Sequence, residues 1–197
     1  IAEEYSVDRI FVDLETLGKE ERQAGMNTVK SQHTLEDVSA IRQVIHKAEL
    51  LVRVNPLNEG SAEEISEVID RGADIVMLPM FRTAADARTF VQLVGGRAKT
   101  MLLLETKEAE AAIDEILAVD GIDEIHIGLN DLHISHGMDF LFQPLANGMV
   151  DALAEKIKAA GIPFGFGGIA RLDEGMLPAR FIIAEHHRLG SEMVILS

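Results

Sequence analysis

The chain has 197 residues, of which 47% are hydrophobic and 26% are charged, the profile of a folded globular protein. Its 33 acidic and 18 basic residues give a formal net charge of −15, which argues against binding nucleic acid or an anionic membrane because both need basic patches. The lack of cysteine excludes disulfides and thiolate chemistry and is typical of a reducing cytoplasm, the expected location, and no apolar run reaches the ~18 residues that span a bilayer.

Seven short apolar runs predict buried strands. The first extends from Arg9 to Glu15 and ends in carboxylates. The others cover residues 50–54, 75–79, 101–105, 124–128, 163–168 and 193–196. Continuous apolar strands that are covered on both faces are typical of parallel sheets. The sequence therefore predicts a parallel sheet.

Amphipathic stretches separate these strands and predict helices. Thr34 with Asp37, and Ser61 with Glu64, have the spacing of capping boxes, in which two side chains satisfy amides at a helix start. Glycines such as Gly72 stand where helix C-caps belong, just before the next strand. Strand, helix and strand repeated this often predict right-handed βαβ units.

Two architectures are consistent with this repeat: an open doubly wound sheet and a closed (β/α)8 TIM barrel. The barrel is favoured because the units are evenly spaced, no Gly-x-Gly-x-x-Gly fingerprint follows the first strand, and polar residues end many strands. A complete barrel typically needs ~250 residues. Residues 1–197 are therefore expected to form a single, incomplete barrel domain that is about one strand and a flanking helix or two short.

Polar side chains stand at the ends of several predicted strands, and a barrel would bring them to one rim. They are Asp13, Glu15, Arg53, Asn55, Glu105, Asn130 and Asp131. Carboxylates beside one arginine favour a divalent-cation site next to an anion site. Two carboxylates leave most positions of a hard cation to water and substrate oxygens, as Mg²⁺ and Mn²⁺ prefer. The alternative is that these residues only cap helices.

Four motifs resemble those of the HpcH/HpaI aldolases, a family of pyruvate/phosphoenolpyruvate barrels that includes citrate-lyase beta-type proteins. They lie at residues 51–56, 72–80, 104–106 and 127–132. The resemblance extends in order from Asp8 to Ser197, and it implies that the first strand and the last helix of the barrel are the elements that residues 1–197 lack. Its most specific element is the pair formed by the Glu-Thr motif and the Asp-Leu motif, whose acidic residues are 26 positions apart.

The resemblance implies a metal site and a substrate site. Glu105 and Asp131 correspond to the ligands of a divalent metal, Mg²⁺ or Mn²⁺. Arg53 corresponds to the arginine that contacts pyruvate. The backbone from Gly128 to Asp131, including Asn130, corresponds to the segment that receives the substrate carboxylate.

Arg53 and the strand-end carboxylate Glu15 are the expected catalytic residues. Aldolases of the family usually carry a proton-transferring histidine after the Asp-x-Glu motif, whereas this chain has Thr16 there. A short turn at residues 95–97 also replaces an Arg- and Gly-rich stretch that precedes the Glu-Thr strand. Both departures leave the general base unassigned.

Other side chains have alternative roles. His133 and His136 could ligate a metal, and His133 could relay a proton. Lys19 and Arg22 could close over an anionic substrate, although a solvated charge run is the simpler reading. His186 and His187 are expected on a polar, solvated helix face. Gly165, Gly167 and Gly168 could cradle a phosphate, but close backbone packing is the simpler explanation.

The implied reaction is a retro-aldol cleavage of a 4-hydroxy-2-oxo acid to pyruvate and an aldehyde, with a bound metal as Lewis acid. A Schiff-base aldolase would need a lysine at a strand end, and Lys107 instead falls at a predicted helix start. The alternatives are a lyase that acts on a CoA thioester and a non-catalytic barrel that binds an oxo acid. The family also implies a homo-oligomer, with a hexamer that exchanges its C-terminal helix as one form.

Overall fold

The structure is a computed structural model that describes residues 2–18, 32–167, 169 and 177–196. Its strands are β1 (Arg9–Asp13), β2 (Glu49–Arg53), β3 (Ile75–Leu78), β4 (Lys99–Leu104), β5 (Glu124–Gly128) and β6 (Phe164–Gly167). Each begins and ends within two residues of a predicted apolar run. The seventh predicted strand appears as two isolated parallel bridges, which pair Met193 with Gly165 and Leu196 with Ile169.

Helices follow the strands, as the amphipathic stretches predict. They are α1 (Leu35–Val44), α2 (Ser61–Asp70), α3 (Ala84–Val94), α4 (Lys107–Ala111), α5 (Ile113–Leu117), α6 (Leu129–Ser135), α7 (Gln143–Ala146), α8 (Met149–Ala159) and α9 (Ala179–Leu189). A short 3₁₀ helix at Ala2–Tyr5 precedes β1. Within the described ranges, no helix has both the length and the apolar character required to cross a membrane.

The two predicted capping boxes have different outcomes. At the start of α1, the Thr34 amide donates to Asp37 Oδ2 at 2.7 Å, as predicted. The box at Ser61 and Glu64 is wrong, because α2 already begins at Ser61 and its N-cap is Gly60. Glu64 instead accepts hydrogen bonds from Asn55, which follows β2.

Neighbouring strands hydrogen-bond in the order of the chain, from β1 to β6. The pairs β1–β2, β2–β3 and β5–β6 are parallel. A doubly wound sheet would reverse its strand order at a switch point, and this sheet has no such reversal among its six strands. Sequential parallel β/α units are the arrangement of a TIM barrel, so the predicted fold class is confirmed.

The chain divides by contacts into two compact units, Ile1–Pro79 with Thr89–Met101, and Met80–Arg88 with Leu102–Ser197. Each unit has its own apolar core. The core of the first unit includes the fully buried side chains of Leu50, Val52, Ile65, Ile75, Leu78 and Phe90. That of the second includes Leu102, Leu104, Ile116, Ile127, Phe164 and Phe166. These cores hold the strands so that the residues just after them have fixed positions.

Candidate active site

The first cluster of functional side chains lies at the carboxyl ends of β1 and β2. Parallel register places Asp13 beside Arg53. The Arg53 Nε–H donates to Asp13 Oδ1 at 2.8 Å, and Nη2–H donates to Asp13 Oδ2 at 2.7 Å. Arg53 Nη1 lies 3.5 Å from Glu15 Oε2. The Nε–Nη2 edge of the guanidinium is therefore held by Asp13 in a two-pronged, charge-assisted pair.

Burial makes this pairing necessary. Asp13 is 5% exposed and Glu15 is 2% exposed, and the Arg53 side chain is 15% exposed. A charge taken out of water to this extent needs a partner, because an unpaired buried charge costs several kcal/mol. Arg53 also lies over the ring of Phe11, with its guanidinium carbon 5.6 Å from the ring centroid. The cluster thus fixes one positive charge beside two carboxylates.

Asn55 and Glu64 fix the segment that follows Glu15. Asn55 Oδ1 accepts hydrogen bonds from the Thr16 amide at 2.9 Å and the Leu17 amide at 3.0 Å. The Thr16 hydroxyl donates to the same oxygen at 3.3 Å. Asn55 Nδ2 in turn donates to Glu64 Oε1 at 2.8 Å. Asn55 therefore positions Thr16, the residue that replaces the expected histidine.

His33 also contacts this cluster, although the sequence did not predict it. Its Nδ1 accepts a hydrogen bond from the Asp13 amide at 3.1 Å. The two residues are 20 positions apart, and the sequence signals this contact only by placing His33 just before Thr34, the N-cap of α1.

The second cluster follows β4 and β5. Glu105 comes directly after β4 and is 2% exposed. Its Oε1 accepts the Met80 amide at 3.0 Å. Met80 has a φ of +54°, a left-handed conformation that costs a residue with a side chain about 1–3 kcal/mol. The backbone at Met80 is thus held in a costly conformation that aims its amide at Glu105.

Glu105 also lies against the end of β5. A Cβ built on Gly128 would lie 2.9 Å from Glu105 Oε2 and 3.0 Å from Glu105 Cβ. A Cβ at these distances would force Glu105 to shift, and its burial and its hydrogen bond from Met80 restrict that shift, so this position favours glycine. Asp131 lies in the first turn of α6, three residues after Gly128, and is 8% exposed. Asn130 is half-buried in the same turn. The predicted ligands thus both follow adjacent strands of one unit and are both buried.

The donor set fits a hard cation whose coordination is completed by other oxygens. In the part of the chain that the structure describes, no group of three or more His, Cys, Asp or Glu side chains is arranged to hold a metal. Two carboxylates are enough for Mg²⁺, which keeps several waters and accepts substrate oxygens. Glu105 and Asp131 therefore suit an ion of this type better than a fully enclosed structural metal.

The remaining candidates are mostly accounted for by packing. His133 is buried, and its Nδ1 lies 3.2 Å from the Leu129 carbonyl oxygen one turn earlier in α6. His136 Nε2 lies 3.9 Å from Glu110 Oε2. Gly165 lies against the backbone of Met193, as close strand packing predicts.

Three further candidates, Lys19, Arg22 and Gly168, lie outside the described residues.

The expectation of a solvated His186 is wrong. His186 is 9% exposed and stacks on Phe166 with 3.6 Å between ring centroids. Burial lowers its pKa to about 4, because desolvation disfavours the charged imidazolium. A sequence signal was available, since His186 shares the buried stripe of α9 with Ile182 and Leu189.

Comparison with known proteins identifies the family of this chain. Residues 1–165 match the HpcH/HpaI aldolase/citrate lyase family. A hydroxypyruvate/pyruvate aldolase of Rhizorhabdus wittichii is 33% identical over 143 residues, which cover 55% of this chain and 57% of that protein. A 2-keto-3-deoxy-L-rhamnonate aldolase of Escherichia coli is 32% identical over 143 residues, which cover 57% of this chain and 54% of that protein. The match thus spans little more than half the length of these curated relatives.

Solved structures agree on the fold. The crystal structure of an HpcH/HpaI aldolase/citrate lyase family protein from Burkholderia cenocepacia aligns with a TM-score of 0.75 at 16% identity, covering 98% of this chain and 80% of that one. At this identity the likeness shows the fold alone, and the match over residues 1–165 identifies the family. The chain therefore belongs to the HpcH/HpaI aldolase/citrate lyase family.

Proposed function

We propose that the protein is a metal-dependent carbon–carbon lyase that cleaves a 4-hydroxy-2-oxo acid to pyruvate and an aldehyde. The observation that carries this proposal is the buried Glu105 carboxylate held against Gly128, with Asp131 in the helical turn that follows. Family membership supports it, as do two related aldolases whose names specify hydroxypyruvate or pyruvate and a 2-keto-3-deoxy acid.

Glu105 and Asp131 would hold the metal, Mg²⁺ or Mn²⁺. When bound, such an ion supplies Lewis-acid stabilisation to an oxygen that becomes negative during cleavage. Met80 supports this role because its amide orients one oxygen of Glu105 and leaves the other against the end of β5. A ligand held in this way does not have to be reorganised during the reaction.

Arg53 is proposed to stabilise the developing enolate of the oxo acid. A fixed positive charge in a site that excludes water contributes several kcal/mol to such stabilisation. Asp13 holds the Nε–Nη2 edge of Arg53, so the substrate would meet another part of the guanidinium. Glu15, the other residue expected to be catalytic, lies 3.5 Å from Nη1 and is proposed to position Arg53 by limiting how it can turn.

The segment from Gly128 to Asp131 is proposed to orient the substrate carboxylate, as the resemblance implies. This segment begins α6, whose first amides have no acceptor within the helix itself. A carboxylate there would be held by backbone groups whose position is set by β5.

An assay of pyruvate release tests the proposal. Purified protein would be incubated with 4-hydroxy-2-oxo acids of different chain length and with Mg²⁺ or Mn²⁺, and pyruvate would be measured by a coupled reduction. We expect metal-dependent release that EDTA abolishes. Glu105→Gln and Asp131→Asn should each raise the metal concentration required, whereas Glu108→Gln, an exposed neighbour on α4, should not. Metal-independent release, or unchanged metal dependence in both site variants, would refute the assignment.

Thr16 favours a second candidate, a barrel that binds an oxo acid without cleaving it. A threonine hydroxyl does not titrate near neutral pH, and this one donates to Asn55. Pyruvate or oxalate binding, measured by calorimetry, without turnover of any hydroxy-oxo acid would support this candidate. Turnover of a CoA thioester would instead indicate the citrate-lyase type of reaction.

Self-association is proposed as well. Apolar side chains on α9 and in the segment after it are exposed: Phe181 at 53%, Ile183 at 51%, Val194 at 36% and Leu196 at 68%. Four exposed apolar side chains within one short part of the chain motivate this proposal, because exposed apolar surface favours association. Analytical ultracentrifugation tests for a homo-oligomer, and a monomer at high concentration would contradict it.

A further inference from the structure

We propose that His33 is a positioning residue for the Arg53–Asp13 pair. Its catalytic consequence depends on the proposed lyase function, whereas its structural consequence does not. The inference starts from the hydrogen bond between the Asp13 amide and His33 Nδ1 at 3.1 Å.

This bond fixes the side of β1 that faces away from β2. The Leu14 amide donates to the Arg53 carbonyl at 2.9 Å, toward β2. Successive amides of a strand point to opposite sides, so the Asp13 amide points the other way. His33 accepts that amide. Without an acceptor, an amide at this part-buried position would lose about 1–3 kcal/mol of solvation.

His33 can hold the Asp13 amide in place because hydrogen bonds fix the backbone next to it. It directly precedes Thr34, the N-cap of α1. The Asp37 carboxylate accepts from both the Thr34 amide at 2.7 Å and the Thr34 hydroxyl at 3.0 Å. These hydrogen bonds lower the pKa of Asp37, because they favour its charged form. The imidazole therefore links the start of α1 to the last residue of β1.

The consequence for Arg53 follows from the shared residue. Asp13 donates its amide hydrogen to His33, and its carboxylate holds the Nε–Nη2 edge of the Arg53 guanidinium. The same carboxylate accepts the Glu15 amide at 3.1 Å. A shift of the Asp13 backbone would therefore move both Arg53 and Glu15. A misplacement of about 1 Å in a catalytic group can cost about 10²-fold in rate.

The bond also sets the tautomer of the ring. Nδ1 must carry a lone pair to accept the amide, so in the neutral ring the proton is on Nε2. Because Nδ1 is engaged by the Asp13 amide, His33 is not proposed to replace the proton-transferring histidine that is missing at Thr16. It supports the site through Asp13.

Two substitutions separate the positioning role from a direct role of the ring. Asparagine places its Oδ1 near the position of Nδ1 and keeps an acceptor for the Asp13 amide. Glutamine places its amide near the position of Nε2 and loses that acceptor. We expect His33→Gln to lower kcat for pyruvate release by about 10- to 10²-fold with little change in KM, and His33→Asn to stay close to wild type.

A readout that does not need turnover accompanies the kinetics. The Nε–H resonance of Arg53 reports its pairing with Asp13, and ¹⁵N spectra of the imidazole report its tautomer. We expect the Arg53 resonance to move in His33→Gln and to stay in place in His33→Asn, and the wild-type ring to be protonated on Nε2. If the wild type releases no pyruvate, the proposed function fails, and the resonances still decide the role of His33.

Three results would overturn the inference. One is a proton on Nδ1 in the neutral wild-type ring. Another is activity that glutamine preserves and asparagine abolishes, which would assign the role to Nε2. The last is an Arg53 resonance that neither substitution changes. A variant that does not fold, as judged by thermal unfolding, leaves the wild-type tautomer as the deciding measurement.

Discussion

Replacement of Gly128 by alanine tests the arrangement of Glu105 most directly. The added methyl carbon would lie 2.9 Å from Glu105 Oε2, 3.0 Å from Glu105 Cβ and 3.2 Å from Leu103 Cδ1. Relaxed contacts between carbon atoms are about 3.5–4.0 Å, so Glu105 must retreat by about 0.5–1 Å. It cannot do so freely, because it is 2% exposed and its other oxygen holds the Met80 amide at 3.0 Å.

The size of the effect follows from this conflict. Insertion of a methyl group into a packed site costs about 1–3 kcal/mol of unfolding free energy. A shift of Glu105, the proposed metal ligand, by about 1 Å is expected to lower turnover by about 10²-fold. We therefore expect Gly128→Ala to remain folded, with a lower melting temperature, weaker Mg²⁺ binding and about 10²-fold slower pyruvate release.

Calorimetric titration with Mg²⁺, thermal unfolding and the pyruvate assay measure these three quantities on one preparation. Gly60→Ala is the matched control. Gly60 also has a negative φ, at −88°, and its added Cβ would meet only the exposed Asn58 side chain at 3.2 Å. Metal affinity and turnover in Gly128→Ala equal to those of the control would refute the reasoning about Glu105.

Three further substitutions have defined outcomes. Arg53→Lys keeps the charge but loses the two-pronged pair with Asp13, so we expect stability to fall by about 1–3 kcal/mol and turnover by about 10²-fold; wild-type activity in a folded variant would contradict this. Asn55 Nδ2 lies 2.8 Å from Glu64 Oε1, so Asn55→Asp would place two carboxylates in contact. We expect this variant to be less stable than wild type at pH 7. The difference should be smaller near pH ~4, where the two carboxylates can share one proton. Glu3 accepts three backbone amides, chiefly those of residues 48 and 47, which lower its pKa from 4.5 to about 2. The charged Glu3 therefore stabilises the fold above pH 4.5, and this stabilisation is lost as the pH falls toward 2. Urea titrations should accordingly show that the stability difference between wild type and Glu3→Gln shrinks over that pH range.

The sequence by itself determined the strands and the residues that end them. Apolar runs such as residues 75–78 predict strands because a strand that is buried on both faces carries apolar side chains on both of them. Asp13, Arg53 and Glu105 could be selected as candidates because each is a charged residue that interrupts or directly follows such a run. Local spacing also predicts the start of α1, because the Thr34–Asp37 bond closes within one turn.

Only the tertiary structure decided which partners these residues take. The sequence did not show which carboxylate lies beside Arg53, and the parallel register of β1 and β2 places Asp13 there. Glu64 has the spacing of a capping residue for α2, yet Asn55, nine positions earlier, is its partner.

Contacts between distant segments depend on register and packing rather than on local periodicity. His33, just before α1, contacts Asp13, at the end of β1, although the two residues are 20 positions apart. Gly128 leaves room for the Glu105 carboxylate, which follows the preceding strand. Periodicity shows which face of a helix or strand is buried, because it depends only on backbone geometry. The partner of each buried polar group is set by which elements lie side by side once the chain has folded.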